Sequence, residues 1–375
     1  MHCLLIEPYY GGSHRAFADS IVRRSRHDWS VLRGKPVHWK WRMRSSALDL
    51  AVAADRMVDQ RQGDGEPPFD VVACSSMLDL PSWRGLVRSP QLFSAVSIIY
   101  FHENQWMYPL SPEARHDLHY GYTNLLSMFA ADRCYFNSRY HCDGFLEAAE
   151  SMVRRMPDSL SIHDFARLRR KSEVIPPGFE PIPCTRGAEH RASGEAFAGH
   201  PRIGWVARWE HDKRPDQFYE LLQRLQDRGI DFRLVLLGQR SAETPAALRR
   251  VRQAFGARIL VDGFAESTAE YHESLRQIDF IVSTAEHEFF GIAVCEAIDA
   301  GAIPILPDRL SYPELVSDRF RYSSLDDAVE RIAQLTDPQR LREASFQARS
   351  EIQQLAAEKS IARFDDAMER LFASS

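Results

Sequence analysis

No run of the sequence approaches the ~18 apolar residues that span a bilayer, which excludes a protein built from membrane-crossing helices. Its six cysteines, Cys3, Cys74, Cys134, Cys142, Cys184 and Cys295, contain no C-x-x-C pair. Neither a zinc site nor a disulfide framework is therefore indicated, and buried free thiols are expected. A G-x-G-x-x-G fingerprint is also missing, so no dinucleotide site of that kind is read. The first residues, Met-His-Cys-Leu-Leu-Ile-Glu-Pro, lack a basic region and a cleavage site and read as a β-strand, so a cytoplasmic chain is expected. A net charge of −5 gives no global attraction to nucleic acid.

That average hides an asymmetry. Between Ser20 and Ser45 the cations Arg23, Arg24, Arg26, Arg33, Lys35, Lys40, Arg42 and Arg44 face one anion, Asp28, and a second basic group follows at Arg167, Arg169, Arg170 and Lys171. With 375 residues, the chain exceeds the size at which one core keeps growing, so two domains are expected.

Short apolar runs recur at Cys3 to Ile6, Val71 to Cys74, Val96 to Phe101 and Arg133 to Phe136, with room for helices between them. A second set follows at Ile203 to Val206, Arg233 to Leu237, Ile259 to Val261, Phe280 to Val282 and Ile303 to Leu306. The expected class is α/β: two Rossmann-like, doubly wound parallel-sheet domains facing a central cleft. The boundaries expected are 1–180 and 181–356, with a hinge between Val174 and His200. The segment 357–375 has helical spacing at Ile361, Phe364, Met368, Leu371 and Phe372; it either caps the second domain or returns to complete the first.

Ligands of such sheets bind beyond the carboxyl ends of the strands, and polar clusters lie there. Glu7-Pro-Tyr-Tyr-Gly-Gly-Ser-His14 follows the first strand, where Gly11 and Gly12 let amides approach a ligand or simply make a tight turn. His102, Glu103, Asn104 and Gln105 follow the Val96 to Phe101 strand and face a ligand or satisfy nearby backbone. Arg208 and Lys213 follow the Ile203 strand, placed to neutralise a diphosphate. Glu288 and Glu296, separated by seven residues, bracket Gly291, where a helix start offers free amides. Trp39 and Trp41 lie in the basic segment; they stack on unpaired bases or form one face of a short strand packed on the core.

The second half resembles the retaining nucleotide-sugar glycosyltransferases of GT-B type, whose mark is two glutamates separated by seven residues. That resemblance implies that Glu288 contacts the transferred sugar, Glu296 the donor ribose, Arg208 and Lys213 the diphosphate, and His102 the sugar. Tyr9-Tyr-Gly-Gly-Ser-His14, His38-Trp-Lys-Trp-Arg42 with Ser46-Ala-Leu48, Tyr100-Phe-His-Glu-Asn-Gln105, Arg208-Trp-Glu-His-Asp-Lys213 and Glu286-His-Glu-Phe-Phe-Gly291 are together similar to the tRNA-queuosine α-mannosyltransferases.

This implies transfer of mannose from GDP-mannose to the cyclopentenediol of queuosine at the wobble position of a tRNA, with tRNA-Asp as the expected acceptor. Motif and resemblance together assign His102, Arg208, Lys213 and Glu288 to catalysis. They assign Gly11, Gly12, Phe289, Phe290, Gly291, Ile292 and Glu296 to the donor, with Arg208, Lys213 and Glu288 shared. His14, Trp39, Trp41, Arg42, Arg44, Glu103, Asn104 and Gln105 are assigned to the acceptor. No D-x-D occurs, the usual mark of a metal-bound donor, so no metal and no cofactor are expected. Two alternatives stay open: a GT-B enzyme using another nucleotide sugar and a small-molecule or glycan acceptor, and a non-catalytic RNA-binding protein.

Overall fold

The computed structural model describes the chain except residues 110–116, 157–164, 184–199, 239–243, 336 and 374–375. Cys184 and most of the expected hinge lie outside the described residues; the other five cysteines are buried free thiols. The chain divides into two compact units, Met1–Gly178 with Ala357–Ser375, and Phe179–Ala356.

The first unit is built on six parallel strands, β1 (His2–Glu7), β2 (Asp28–Arg33), β3 (Val71–Ser75), β4 (Val96–Phe101), β5 (Arg133–Phe136) and β6 (Ser172–Val174), in the order β2-β1-β3-β4-β5-β6. The central strands are buried on both faces, which is why they read as unbroken apolar runs. Alternate residues feed two cores. Leu4, Ile6, Val72, Cys74, Ile99 and Phe101 point to one. Cys3, Leu5, Val71, Ala73, Ile98 and Tyr100 point to the other, where Ile361, Phe364, Met368 and Leu371 of the helix Ala357–Ala373 pack. Burying side chains of that size stabilises by roughly 2 kcal/mol each. Polar ties fix this helix: Ser25 Oγ donates to Asp365 Oδ1 at 2.7 Å and Arg26 Nε to Glu369 Oε1 at 2.8 Å.

The second unit has six parallel strands, β7 (Arg202–Val206), β8 (Arg233–Leu237), β9 (Ile259–Gly263), β10 (Phe280–Val282), β11 (Ile303–Pro307) and β12 (Arg321–Tyr322), in the order β12-β11-β10-β7-β8-β9. The order reverses between β7 and β10, making a switch point at their carboxyl ends; in the first unit it reverses between β1 and β3. Among the described residues no helix is long and apolar enough to cross a membrane.

Two expectations are corrected. The segment from Trp39 is no strand but the start of the helix Trp39–Gly63, so Trp39 and Trp41 point to different sides at 100° per residue. Lys171 is not a surface cation: it is buried, and its Nζ donates to Ala131 O at 2.6 Å and Phe129 O at 3.2 Å.

Candidate active site

In the second unit, β7 ends at Val206 and the chain turns through Arg208 to a short 3-10 turn, His211–Lys213, before Arg214 takes a left-handed φ of 49° and the helix Pro215–Asp227 begins. Across the switch point, the segment after β10 is laced to this turn. Thr284 Oγ1 donates to Lys213 O at 2.9 Å, and Glu286 N to Asp212 O at 2.8 Å. Lys213 is buried, and its Nζ reaches His287 O at 2.6 Å, Asp212 Oδ2 at 3.1 Å and Glu288 Oε2 at 3.3 Å. The first and last are hydrogen bonds of the ammonium, and Asp212 Oδ2 adds a close ion-pair contact. Lys213 therefore holds Glu288 and lends its charge to the site, whereas the exposed Arg208, 3.6 Å from Glu210, keeps a guanidinium at the strand end.

Burial alone would raise the Glu288 carboxyl, but Lys213, His287 and two hydrogen bonds outweigh it and hold the group below its ordinary value. Burial alone would likewise lower Lys213; Glu288 and Asp212 outweigh it and raise it. The pair is thus ionised at neutral pH. Burial, with Lys213 nearby, pulls His287 down to about 4, leaving a neutral imidazole between the charges.

Gly291 has φ +97° and caps the helix Ile292–Asp299. Val294 N is the first amide to bond back, to Gly291 O at 3.0 Å, so the amides of Ile292 and Ala293 have no helical acceptor and form an anion-ready terminus. Gly291→Ala is expected to strain the turn by about 1–2 kcal/mol and tilt those amides. The Michaelis constant for the donor should then rise roughly tenfold, as one such hydrogen bond is lost. Donor titration of the variant, with a melting curve alongside, checks this; an unchanged constant sinks the role.

Phe289 and Phe290, expected at the donor, are buried: Phe290 belongs to the core, and the Phe289 ring packs edge-on to His287 at 4.3 Å between centroids. Ile292 packs partly buried against the same core. Glu296 lies one turn on from Ile292, with Oε2 accepting from Tyr271 OH at 2.7 Å.

In the first unit, the helix Gly12–Arg24 follows β1. Gly12 takes φ +53°, and a Cβ on Gly11 would come within 2.5 Å of Pro36 Cβ, so both glycines are required by the turn itself. Glu7 is the hub. Its Oε1 accepts from Ser75 Oγ across the switch point and from Tyr9 N, both at 2.9 Å, and its Oε2 meets His14 Nδ1 at 3.1 Å. The His14 ring lies 4.2 Å from that of His102, which leaves β4 buried beside Phe17 and Tyr100. Burial, with His14 and His141 nearby, holds His102 well below the ordinary histidine value; for His14 the Glu7 carboxylate outweighs burial and raises it.

Ligand atoms of Glu7, His14 and His102 lie within 4.8 Å of one another, a donor set able to hold a divalent ion. Asn104 works on the backbone, its Oδ1 accepting from Trp106 N at 3.1 Å and Met107 N at 3.0 Å, while Glu103 O accepts from Ser76 Oγ at 3.2 Å. Gln105 is half-buried in the same turn.

Trp39 packs on Tyr120 at 5.3 Å between ring centroids, whereas Trp41 is 59% exposed and available to a partner. Arg44 pairs with Asp117 at 2.8 Å. Arg42 Nε is buried without a partner among the described residues. Sequence reasoning missed Glu7, Asp212 and Tyr271. Glu7 carries the signal that marked His102, a polar residue ending an apolar strand; the other two become visible only once β7 and β10, or two separate helices, are neighbours.

A chain with two doubly wound units, one of which gathers an ion-paired glutamate, a guanidinium and an open helix terminus at its switch point and matches a glycosyltransferase family model, is a glycosyltransferase of the GT-B class. Residues 2–179 match the family described as tRNA-queuosine alpha-mannosyltransferase N-terminal, and residues 188–348 match Glycosyl transferases group 1. The tRNA-queuosine alpha-mannosyltransferase of Drosophila melanogaster is 32% identical over 338 residues, covering 88% of this chain and 86% of the fly protein. The chain belongs to the tRNA-queuosine alpha-mannosyltransferase family.

A GDP-mannose:cellobiosyl-diphosphopolyprenol alpha-mannosyltransferase of Xanthomonas campestris is 30% identical over 34% of this chain and 36% of its own length. Two solved structures share the fold. Sucrose-phosphate synthase from Thermosynechococcus elongatus has a TM-score of 0.70 at 15% identity, and Anabaena HepE with UDP-glucose has 0.66 at 14%; both comparisons cover each chain completely.

Proposed function

We propose that this enzyme transfers mannose from GDP-mannose to the cyclopentenediol of queuosine at the wobble position of tRNA, tRNA-Asp in particular, with retention of configuration, in the cytoplasm. The observation that carries the donor side is the Lys213–Glu288 pair, 3.3 Å apart beside the open amides after Gly291. In the reaction the bond from the anomeric carbon to the β-phosphate oxygen breaks, and a bond to the acceptor oxygen forms on the same face. The acceptor proton passes to the departing diphosphate, so no carboxylate base is needed.

Arg208 and the amides of Ile292 and Ala293 stabilise the developing diphosphate charge as preorganised donors. Lys213 adds its field and fixes Glu288 against the sugar. Glu296 takes the ribose, and His102, neutral by burial, takes a sugar hydroxyl. The tRNA side falls to His14, Trp41, Arg42, Arg44 and Gln105 in the first unit, with Trp41 offering an exposed stacking face. Trp39 packs on Tyr120 instead, on another side of the helix.

Radiolabelled mannose from GDP-mannose is expected on queuosine-containing tRNA and absent from queuosine-lacking tRNA, with UDP-sugars inert. Hydrolysis of the donor, or label on a small acceptor alone, would keep the donor site and overturn the tRNA assignment.

We also propose that the chemistry proceeds without a metal. The Glu7 oxygens already accept from Ser75, Tyr9 and His14, which satisfies that carboxylate without an ion. Turnover in excess chelator should stay within about twofold of untreated enzyme, since no transition-state charge is assigned to an ion. Complete loss restored only by a divalent ion would overturn metal independence.

A further inference from the structure

We infer that Tyr271 is a positioning residue of the donor site: its hydroxyl holds Glu296 Oε2 so that Oε1 stays aligned for the vicinal hydroxyls of a ribose, and it thereby sets the preference for ribonucleotide over deoxyribonucleotide ligands. This rests on the reading of Glu296 as the ribose contact.

The geometry is specific. Tyr271 sits in the first turn of the helix Thr268–Arg276, whose start is fixed twice: Ser267 Oγ accepts from Glu270 N at 3.2 Å, and Glu270 Oε2 accepts from Glu266 N at 2.8 Å. The ring packs partly buried against the core of the unit, so the hydroxyl is delivered by a rigid frame. Its 2.7 Å bond to Glu296 Oε2 is a well-formed O–H···O hydrogen bond. Oε1 of Glu296 takes no hydrogen bond from the described residues. A carboxylate with one oxygen pinned and the other open is prepared for a ligand bearing two adjacent hydroxyls.

The protonation states agree with this direction of donation. Burial, then the Glu296 carboxylate, raise the Tyr271 phenol well above its ordinary value, so it remains the donor. Burial pushes Glu296 up to about 7, against a lowering by the Tyr271 hydrogen bond and with a further rise from the Glu180 carboxylate. The other charges around this helix are committed elsewhere: Asp299 pairs with Arg349 at 3.0 Å and accepts from Ile182 N at 2.7 Å, and His272 is held low by burial and by Arg276.

Glu296 is thus ionised above about 7 and loses acceptor capacity as pH falls through that value. Removing the Tyr271 hydroxyl raises the Glu296 carboxyl further, which moves the acid limb of kcat/KM to higher pH.

The test compares inhibition by GDP and by 2′,3′-dideoxy-GDP in wild type, Tyr271→Phe and Glu296→Gln. Tyr271→Phe is expected to weaken GDP about tenfold, the weight of one hydrogen bond to a charged group, while leaving the dideoxy analogue unchanged. Its Michaelis constant for the donor should rise while kcat stays within about twofold, as for lost uniform binding, with the acid limb displaced upward. If Glu296→Gln collapses the GDP preference and Tyr271→Phe leaves preference and limb in place, the inference fails while the ribose reading stands. If Glu296→Gln itself leaves the preference intact, the ribose reading fails first.

Discussion

Glu288→Ala is expected to reduce mannose transfer on the order of a thousandfold, about 4 kcal/mol of lost transition-state stabilisation, while tRNA binding stays within about twofold. The size follows from where the carboxylate stands. It is held by a buried ammonium at 3.3 Å in a segment that precedes an open helix terminus, so its charge is fixed before the sugar develops any. The truncation leaves no orphaned cation, because Lys213 keeps Asp212 Oδ2 at 3.1 Å and His287 O at 2.6 Å.

The folded Glu288 value lies below the ordinary carboxyl value, so its contribution to stability is in place above the ordinary value and is lost as pH falls through the folded one. The variant should therefore melt with a shallower acid side. Single-turnover transfer and filter binding on the same preparation separate chemistry from recognition. Transfer near the wild-type rate would remove Glu288 from the donor site.

Much of this site was legible in the sequence because parallel strands buried on both faces leave their polar residues at the ends. His102, Arg208 and Glu288 all announce themselves that way, and so does Glu7, which also opens a glycine turn. Other parts were not legible for physical reasons. β2 is an edge strand with half-exposed residues from Trp29 to Leu32, and its sequence Asp-Trp-Ser-Val-Leu-Arg lacks the apolar run by which the central strands were found. Trp39 and Trp41 share a spacing of two that fits a strand, yet their backbone is helical, which turns one ring onto Tyr120 and leaves the other in solvent.

Lys213 reads in sequence as a free phosphate ligand. Its three partners come from its neighbour Asp212 and from a segment about 75 residues away, a proximity that only the β7–β10 pairing creates. Tyr271 is invisible for the same reason, since its partner Glu296 lies on a different helix.

Lys213→Met separates the two duties that this pairing gives one ammonium. Asp212 is fully buried and Lys213 is its ion-pair partner among the described residues; breaking such a pair costs about 3–5 kcal/mol, so a marked fall in the urea midpoint or melting temperature is expected. Glu288 simultaneously loses the cation that holds its carboxyl low, and transfer should fall at least about a hundredfold, as for removal of a preorganised charge. Loss of activity in this variant alone would not distinguish a collapsed fold from a crippled site.

Adding Asp212→Asn removes the orphaned charge while keeping the backbone carbonyl that accepts from Glu286 N at 2.8 Å. The double variant should recover most of the lost stability, because replacing both members of a buried pair is far less costly than removing one. Transfer should stay low, because Glu288 is still without its cation. Recovery of stability and transfer together would make Lys213 a structural counter-ion to Asp212 and nothing more, and the charge stabilising the diphosphate would then rest on Arg208 and the amides after Gly291.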